Sequence, residues 1–490
     1  MKPMPLFLIL SALLVVCTAG VFSPNAAGAH SMKNRAGALL SMPKNSRTLS
    51  RARSSLRSWT RPSHIDAPPS WAPIYPIDFG ADPSGVSDSS AAFDLAMAEL
   101  FSRGTSGHFD ESGTIDLGGA TLDLQGGDYL ISKSLFFPSN YSNYGLIHGT
   151  LRANINTFNR NDFLVDIGTP GGYCINWGNS CTENVNLEDL FLDATAIANG
   201  VRFTAVIGVN AGPDIFIVNF TQVGVDMEAG HEVELHESWI GSCWYTPPSA
   251  CWLNASALND TVGILINGND HLLNQVVVFA ARSGIIVNGA ANILTSCHTW
   301  NTQEESVSDA VGIQVNSWQN RLVAPYLDYV PLVLKGAAMT SITNGFFLDG
   351  AAKIVFLPDP NNYPVQGIYI SGSEFAGGGD VFAIGTGFTG LQDVTIVGSL
   401  HDDAAAHRST TASRTLINVS SPWVFDFTDN LVFDASVSVL GIKTVSCSFI
   451  TSAGFFRWNI LTPVGAVVTV ISDTPVTATA TCTVDQSLRT

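Results

Sequence analysis

Four segments near the middle of the chain open on one pattern: glycine, an apolar residue, any residue, a second apolar residue. They read GVDMEAGHEVELHESWIG from Gly224, GILINGNDHLLNQVVVFA from Gly263, GIIVNGAANILTSCHTWN from Gly284 and GIQVNSWQNRLVAPYLDY from Gly312. A weaker copy, VLKGAAMTSITNGFFLDG, starts at Val333. The first four starts are 39, 21 and 28 residues apart. The shortest interval approximates one coil of a parallel β-helix, and the longer ones carry loops. Such a repeat cannot bury its apolar face alone and does so only by stacking on its neighbours.

Alternation within the repeats agrees. Val225/Met227, Ile264/Ile266, Ile285/Val287 and Ile313/Val315 are predicted to point inward, with Asp226/Glu228, Leu265/Asn267, Ile286/Asn288 and Gln314/Asn316 outward. Equivalent positions on successive coils lie about 4.8 Å apart. Asn267, Asn288 and Asn316 should therefore form a column of hydrogen-bonded amides. Upstream, residues 115–117, 121–124, 129–131, 190–193 and 214–219 supply further short β runs, and the regular pattern is legible to about Phe375. Before them, residues 74–90 read as a strand and turn. Asp88, Ser89 or Ser90 then caps a short amphipathic helix that covers one end of the stack. The fold class is all-β: a single-stranded parallel β-helix with a short N-terminal capping helix and a β-rich C-terminal segment.

Composition sets the compartment. With 46% hydrophobic and 13% charged residues the chain is far from the signature of disorder. Residues 1–20 read as a signal peptide, with Lys2 ahead of the apolar run 6–16, which is too short to span a bilayer. No stable membrane association is expected once that segment is removed. Residues 21–70 form a Ser- and Pro-rich linker or pro-segment. Within residues 32–62 it holds eight Lys/Arg and no acidic residue. The β-helix is assigned to residues 71–400 and the C-terminal β-rich segment to 401–490. From Ala67 onward 14 Lys/Arg face 40 Asp/Glu. That acidic body repels a polyanion unless the binding cleft is locally basic or the polymer partly neutral. The basic stretch lacks interleaved aromatics, so no nucleic-acid partner is expected. Sequons at Asn140, Asn219, Asn254, Asn259 and Asn418 fit a secreted, extracellular glycoprotein. Of the eight cysteines, Cys174–Cys181 and Cys243–Cys251 close short loops and are expected to be disulfide-bonded. Cys447–Cys482 is a third candidate, and Cys297 is left as a buried thiol.

On these residues a family resemblance appears. Asp78, Phe79, Gly80, Ala81, Gly85, Asp88, Ala92 and Phe93 resemble the opening of the pectin-lyase-like β-helix superfamily. Gly268, Asn269, Asp270 and His271, with His298, Thr299, Trp300 and Asn301 a coil later, resemble the plant QUARTET-type polygalacturonases. The resemblance covers about residues 70–460. It implies a right-handed helix and an extracellular, cell-wall enzyme that hydrolyses α-1,4-galacturonan. The implied partner is a pectic polysaccharide, met by a monomer without a cofactor. The sequence departs from the usual family pattern of Asn-Thr-Asp, Asp-Asp, Gly-His-Gly and Arg-Ile-Lys on neighbouring coils. At Gly224 it reads Gly-Val-Asp, before Gly263 it reads Thr-Val-Gly, and Arg-Ile-Lys is missing. Only Asp226 matches in part.

Glycoside hydrolysis needs an acid for the leaving oxygen and a base for water, about 6.5–9.5 Å apart in inverting enzymes. Asp226 and Glu228, two apart on one strand, have side chains about 6.5–7 Å apart along one face. With Asp270, His271 and Asp328 they make the candidate catalytic set, on an outward groove. His298 and Trp300 are candidate substrate contacts, Trp300 as a stacking platform or as packing under a loop. Asp270 and His271 also suit a turn, and Asp328 and Asp349 are expected to stack. No metal site is read. Arg282 and Arg321 are the only arginines within the four repeats, which places lyase chemistry behind hydrolysis. A carbohydrate-binding β-helix without catalysis is the other reading.

Overall fold

The computed structural model describes residues 72–109, 114–171, 181–243, 260–300, 310–359, 363–385, 391–401, 406–433, 441–452 and 454–487. The expected signal segment, the basic linker and the sequons at Asn254 and Asn259 lie outside them. Among the described residues no helix is long and apolar enough to cross a membrane.

Short β runs ending in polar turns stack into a right-handed parallel β-helix. Among the described residues thirty-one strands share one continuous sheet, wound so that each coil contributes to three faces. Sheet 1 contains the Gly-apolar-x-apolar strands. From Leu135–Phe137 it runs through Phe163–Ile167, Asn199–Ala211, Val223–His236, Val262–Ile266, Ser283–Val287, Val311–Val315, Leu332–Lys335 and Ala352–Leu357 to Asp380–Ile384. Ten rungs match the coil number that a repeat of 21–28 residues allows. Sheet 2 includes Leu272–Asn274, Ile293–Thr295 and Arg321–Val323, and sheet 3 includes Val277–Phe279, His298–Trp300 and Tyr326–Asp328. Parallel pairing continues past Phe375 to Ser399–His401. The inward positions stay apolar there, with Ile368, Ile370, Val394 and Ile396 buried.

The inward positions are as the alternation demands. Val225, Met227, Ile264, Ile266, Ile285, Val287, Ile313 and Val315 are all buried. The amide column is present: Asn288 Nδ2 donates to Asn267 Oδ1 (2.8 Å) and Asn316 Nδ2 to Asn288 Oδ1 (2.7 Å). Asp328, however, stands opposite Leu348, so it does not stack on Asp349. Asp349 lies one position further along its coil and accepts a hydrogen bond from Gly378 N–H.

The corners differ. From sheet 2 to sheet 3 the chain turns in two residues, the first left-handed: Gln275 (φ 55°), Ser296 (51°), Ala324 (49°), Asn344 (55°) and Gly372 (59°). Ala324 gains nothing from its side chain there and bears the steric cost of that conformation. Ala324→Gly is expected to raise stability by about 0.5–1 kcal/mol, read as a higher urea midpoint at unchanged slope. From sheet 3 to the next sheet 1 strand the return takes three residues after Phe279, Asp328, Leu348 and Ala376. It takes ten after Trp300 and twenty after Gly241. The irregular spacing of the repeats comes from this corner, apart from one extra residue between Met227 and Glu234.

Both ends of the stack are covered. Residues 76–79 form a 3-10 turn rather than a strand, and the strand is Ser84–Asp88. Asp88 Oδ1 accepts from Ser90 N–H at the start of helix α1, Ser90–Ser102. Ala92, Phe93, Ala96, Met97 and Leu100 of α1 close the first coil. At the other end, two three-stranded antiparallel sheets pack around Trp423, Phe425, Val468 and Val470. Phe433 reaches from that unit to Phe382 of the stack (5.4 Å). Cys447–Cys482 is disulfide-bonded across paired strands, and Cys297 is free and buried. Cys181 and Cys243 are disulfide-bonded, while Cys174 and Cys251 lie outside the described residues. The Asn219 sequon is internal: its side chain is buried and donates to Asp193.

Candidate active site

Glycine at 200 and 224 lets two strands of sheet 1 lie close together, because a Cβ at Gly200 would strike Gly224 O. Val201, Arg202 and Phe203 then register with Val225, Asp226 and Met227, and one coil earlier Asp166 registers with Arg202. The outward column reads Asp166, Arg202, Asp226. Arg202 donates to both oxygens of Asp166, at 2.9 and 2.6 Å, and its guanidinium lies 4.8 Å from the Phe163 ring centre. The next residues in the column are Leu265 and Ile286, so the charged patch ends against apolar surface.

Asp226 is the perturbed group. Burial, then the nearby Glu228 charge, pushes its carboxyl up to about 6, with Arg202 acting the other way. Its Oδ1 is buried and has no hydrogen-bond partner among the described residues. Glu228 follows at a bulge between Met227 and Ala229, where its Oε2 accepts from Thr204 Oγ1 at 2.8 Å. One carboxyl therefore holds a proton at mildly acidic pH, and its neighbour is fixed as a hydrogen-bond acceptor. Arg202 cannot serve as a base: the bond to Asp166 raises its proton affinity further.

The other expected residues do not join this face. His271 is buried in the corner between sheets 1 and 2. Its ring Nδ1 accepts from Val233 N–H (3.1 Å), and its backbone N–H donates to Asn292 Oδ1 (2.9 Å). Burial and the neighbouring His231 push the ring down to about 3. It is a neutral structural ring in a buried ladder that Asn292 and Asn320 continue, and it moves no proton at working pH. Asp270 is exposed at the same corner, 3.3 Å from His231 Nδ1. With Glu232 these two residues offer three ligand atoms within 4.8 Å of one another, a group that could hold a cation. His298, Trp300 and Asp328 are on sheet 3. His298 Nε2 meets Asp328 Oδ2 (3.1 Å), its ring stacks on Tyr326 (4.2 Å), and Trp300 packs on Phe279 (5.7 Å). The single groove expected to carry Asp226, Glu228, Asp270, His271 and Asp328 is thus divided among two sheets and a corner.

Sequence reasoning missed Asp166, Arg202 and Thr204. The signal was present: residues 200–203 read Gly-Val-Arg-Phe, the same opening as Gly224, 24 residues upstream.

No family model matches the chain. Among solved structures, similarity extends to a Geobacillus virus E2 ORF18 protein (TM-score 0.47, 12% identity, 67% of this chain and 61% of that one). It extends also to an endo-xylogalacturonan hydrolase from Aspergillus tubingensis (TM-score 0.41, 10% identity, 66% and 95%). An exopolygalacturonase from Thermotoga maritima matches as well (TM-score 0.34, 13% identity, 68% and 92%). In sequence the chain is 30% identical to the polygalacturonase QRT3 of Arabidopsis thaliana over 513 aligned positions, 99% of this chain and 98% of that protein. With that identity over essentially its whole length, the chain belongs to the polygalacturonase family of β-helix proteins.

Proposed function

We propose that the protein is a secreted cell-wall enzyme that hydrolyses α-1,4-galacturonan, with Asp226 as general acid and Glu228 as general base. The observation that carries this is the contrast between the two carboxyls. Asp226 is held protonated up to about pH 6, while Glu228 is oriented by Thr204. Such a pair supplies both proton transfers of glycoside cleavage. Asp226 gives its proton to the glycosidic oxygen as the C–O bond breaks, and Glu228 takes one from the water that adds to the anomeric carbon. A pair that divides the acid and base roles between two carboxyls, with water activated by the second, is the arrangement of an inverting enzyme. The test is the release of reducing ends from polygalacturonate at pH 5, with the anomeric configuration of the first product read by NMR. Inverted product is expected. Pectin binding with no new reducing ends would replace this reading with a carbohydrate-binding one, which the departures from the usual family residues favour.

A further inference from the structure

We propose that a groove over the corner between sheets 1 and 2 binds an uncharged stretch of saccharide that leads into the Asp226–Glu228 site. Its volume is about 500 Å³, within the usual range for ligand sites. The floor is the amide column of Asn267, Asn288 and Asn316. Each amide has two N–H donors and two acceptor positions, so one inter-coil bond on each side leaves capacity for a ligand hydroxyl. Trp318 and Tyr363 line the same groove and are 56% and 64% exposed. Large rings left this open are suited to the C–H faces of sugar rings, while the amides take the hydroxyls.

Among the described residues, none that lines the groove carries a charge at neutral pH. The whole chain has a net charge of −18. A run of galacturonate carboxylates would find no counter-charge here and would meet a repelling field. Methyl-esterified galacturonate or a neutral sugar meets neither obstacle.

Register connects the groove to the acid pair. Ile266 pairs with Met227, and Asn267 N–H donates to Met227 O (2.9 Å). Asn267 therefore follows Glu228 one coil on. The groove continues past Asn288, Asn316 and Ala338 to Gln366, five coils or roughly 19 Å at the spacing of stacked strands. The role given to the groove as a lead-in rests on the cleavage reading above, whereas its binding can be measured without cleavage.

The experiment is calorimetric titration of the non-cleaving Asp226→Asn protein with three oligosaccharides: de-esterified galacturonate, fully methyl-esterified galacturonate and a neutral galactan. At least one uncharged ligand is expected to bind tenfold or more tightly than the de-esterified one. Whichever uncharged ligand binds better identifies the source. Trp318→Ala and Tyr363→Ala, both at exposed positions, are each expected to weaken that ligand about tenfold with an unchanged melting temperature. Equal or tighter binding of the de-esterified oligomer overturns the proposal, as do substitutions without effect. A parent protein that binds in this way but releases no reducing ends would overturn the catalytic reading alone.

Discussion

Asp226→Asn is expected to lower turnover on polygalacturonate by about 10²–10⁴-fold, the usual value of a positioned acid, and to raise the melting temperature at pH 7. The two effects have one cause. The folded protein holds the Asp226 proton up to about pH 6, whereas the ordinary value is 3.8. Between those values the folded state binds more protons than the unfolded one, so the wild type loses stability as pH rises through the interval. Asn removes that loss, which amounts to about 3 kcal/mol above pH 6. Below pH 3.8 the two proteins should be equally stable. The wild-type rate should fall as pH rises through about 6, where the acid loses its proton. Activity within twofold of wild type, or a melting temperature lowered at pH 7, would remove Asp226 from the role of acid.

Arg202→Gln is expected to destabilise the protein by about 3 kcal/mol, because it leaves Asp166 buried without its twofold partner. It also removes the charge that holds the Asp226 carboxyl down, so the alkaline limb of the rate profile should move above pH 6. Arg202→Lys keeps the charge but loses the paired donors, and should restore the limb more fully than the stability. A profile that does not move in the Gln variant would show that Arg202 does not act on Asp226.

The stack was legible because burial on one side and water on the other imposes a period of two that glycine punctuates. The Asn267, Asn288 and Asn316 column was legible because identical residues recur at one offset. The site was only half legible. Asp226 and Glu228 show themselves as outward acids, but the buried state of Asp226 depends on Arg202 and Asp166 from earlier coils, where the repeat is weaker. His271 misled because a buried turn position and an exposed catalytic one have the same local sequence. Its ring is held inward by Val233 N–H and its backbone by Asn292, on the coils to either side. Asp328 misled for a different reason: a one-residue offset between coils puts it opposite Leu348 and away from Asp349.

The corner between sheet 3 and the following sheet 1 strand absorbs three, ten or twenty residues, while the pairing on either side of it keeps its register. Insertions there are cheap for the scaffold: loop closure costs grow only slowly with length, and no buried layer has to be rebuilt. Evolution, or a protein engineer, can therefore exchange whole segments at that rim without destabilising the body, so related chains should diverge in length at this edge long before they diverge in the inward residues.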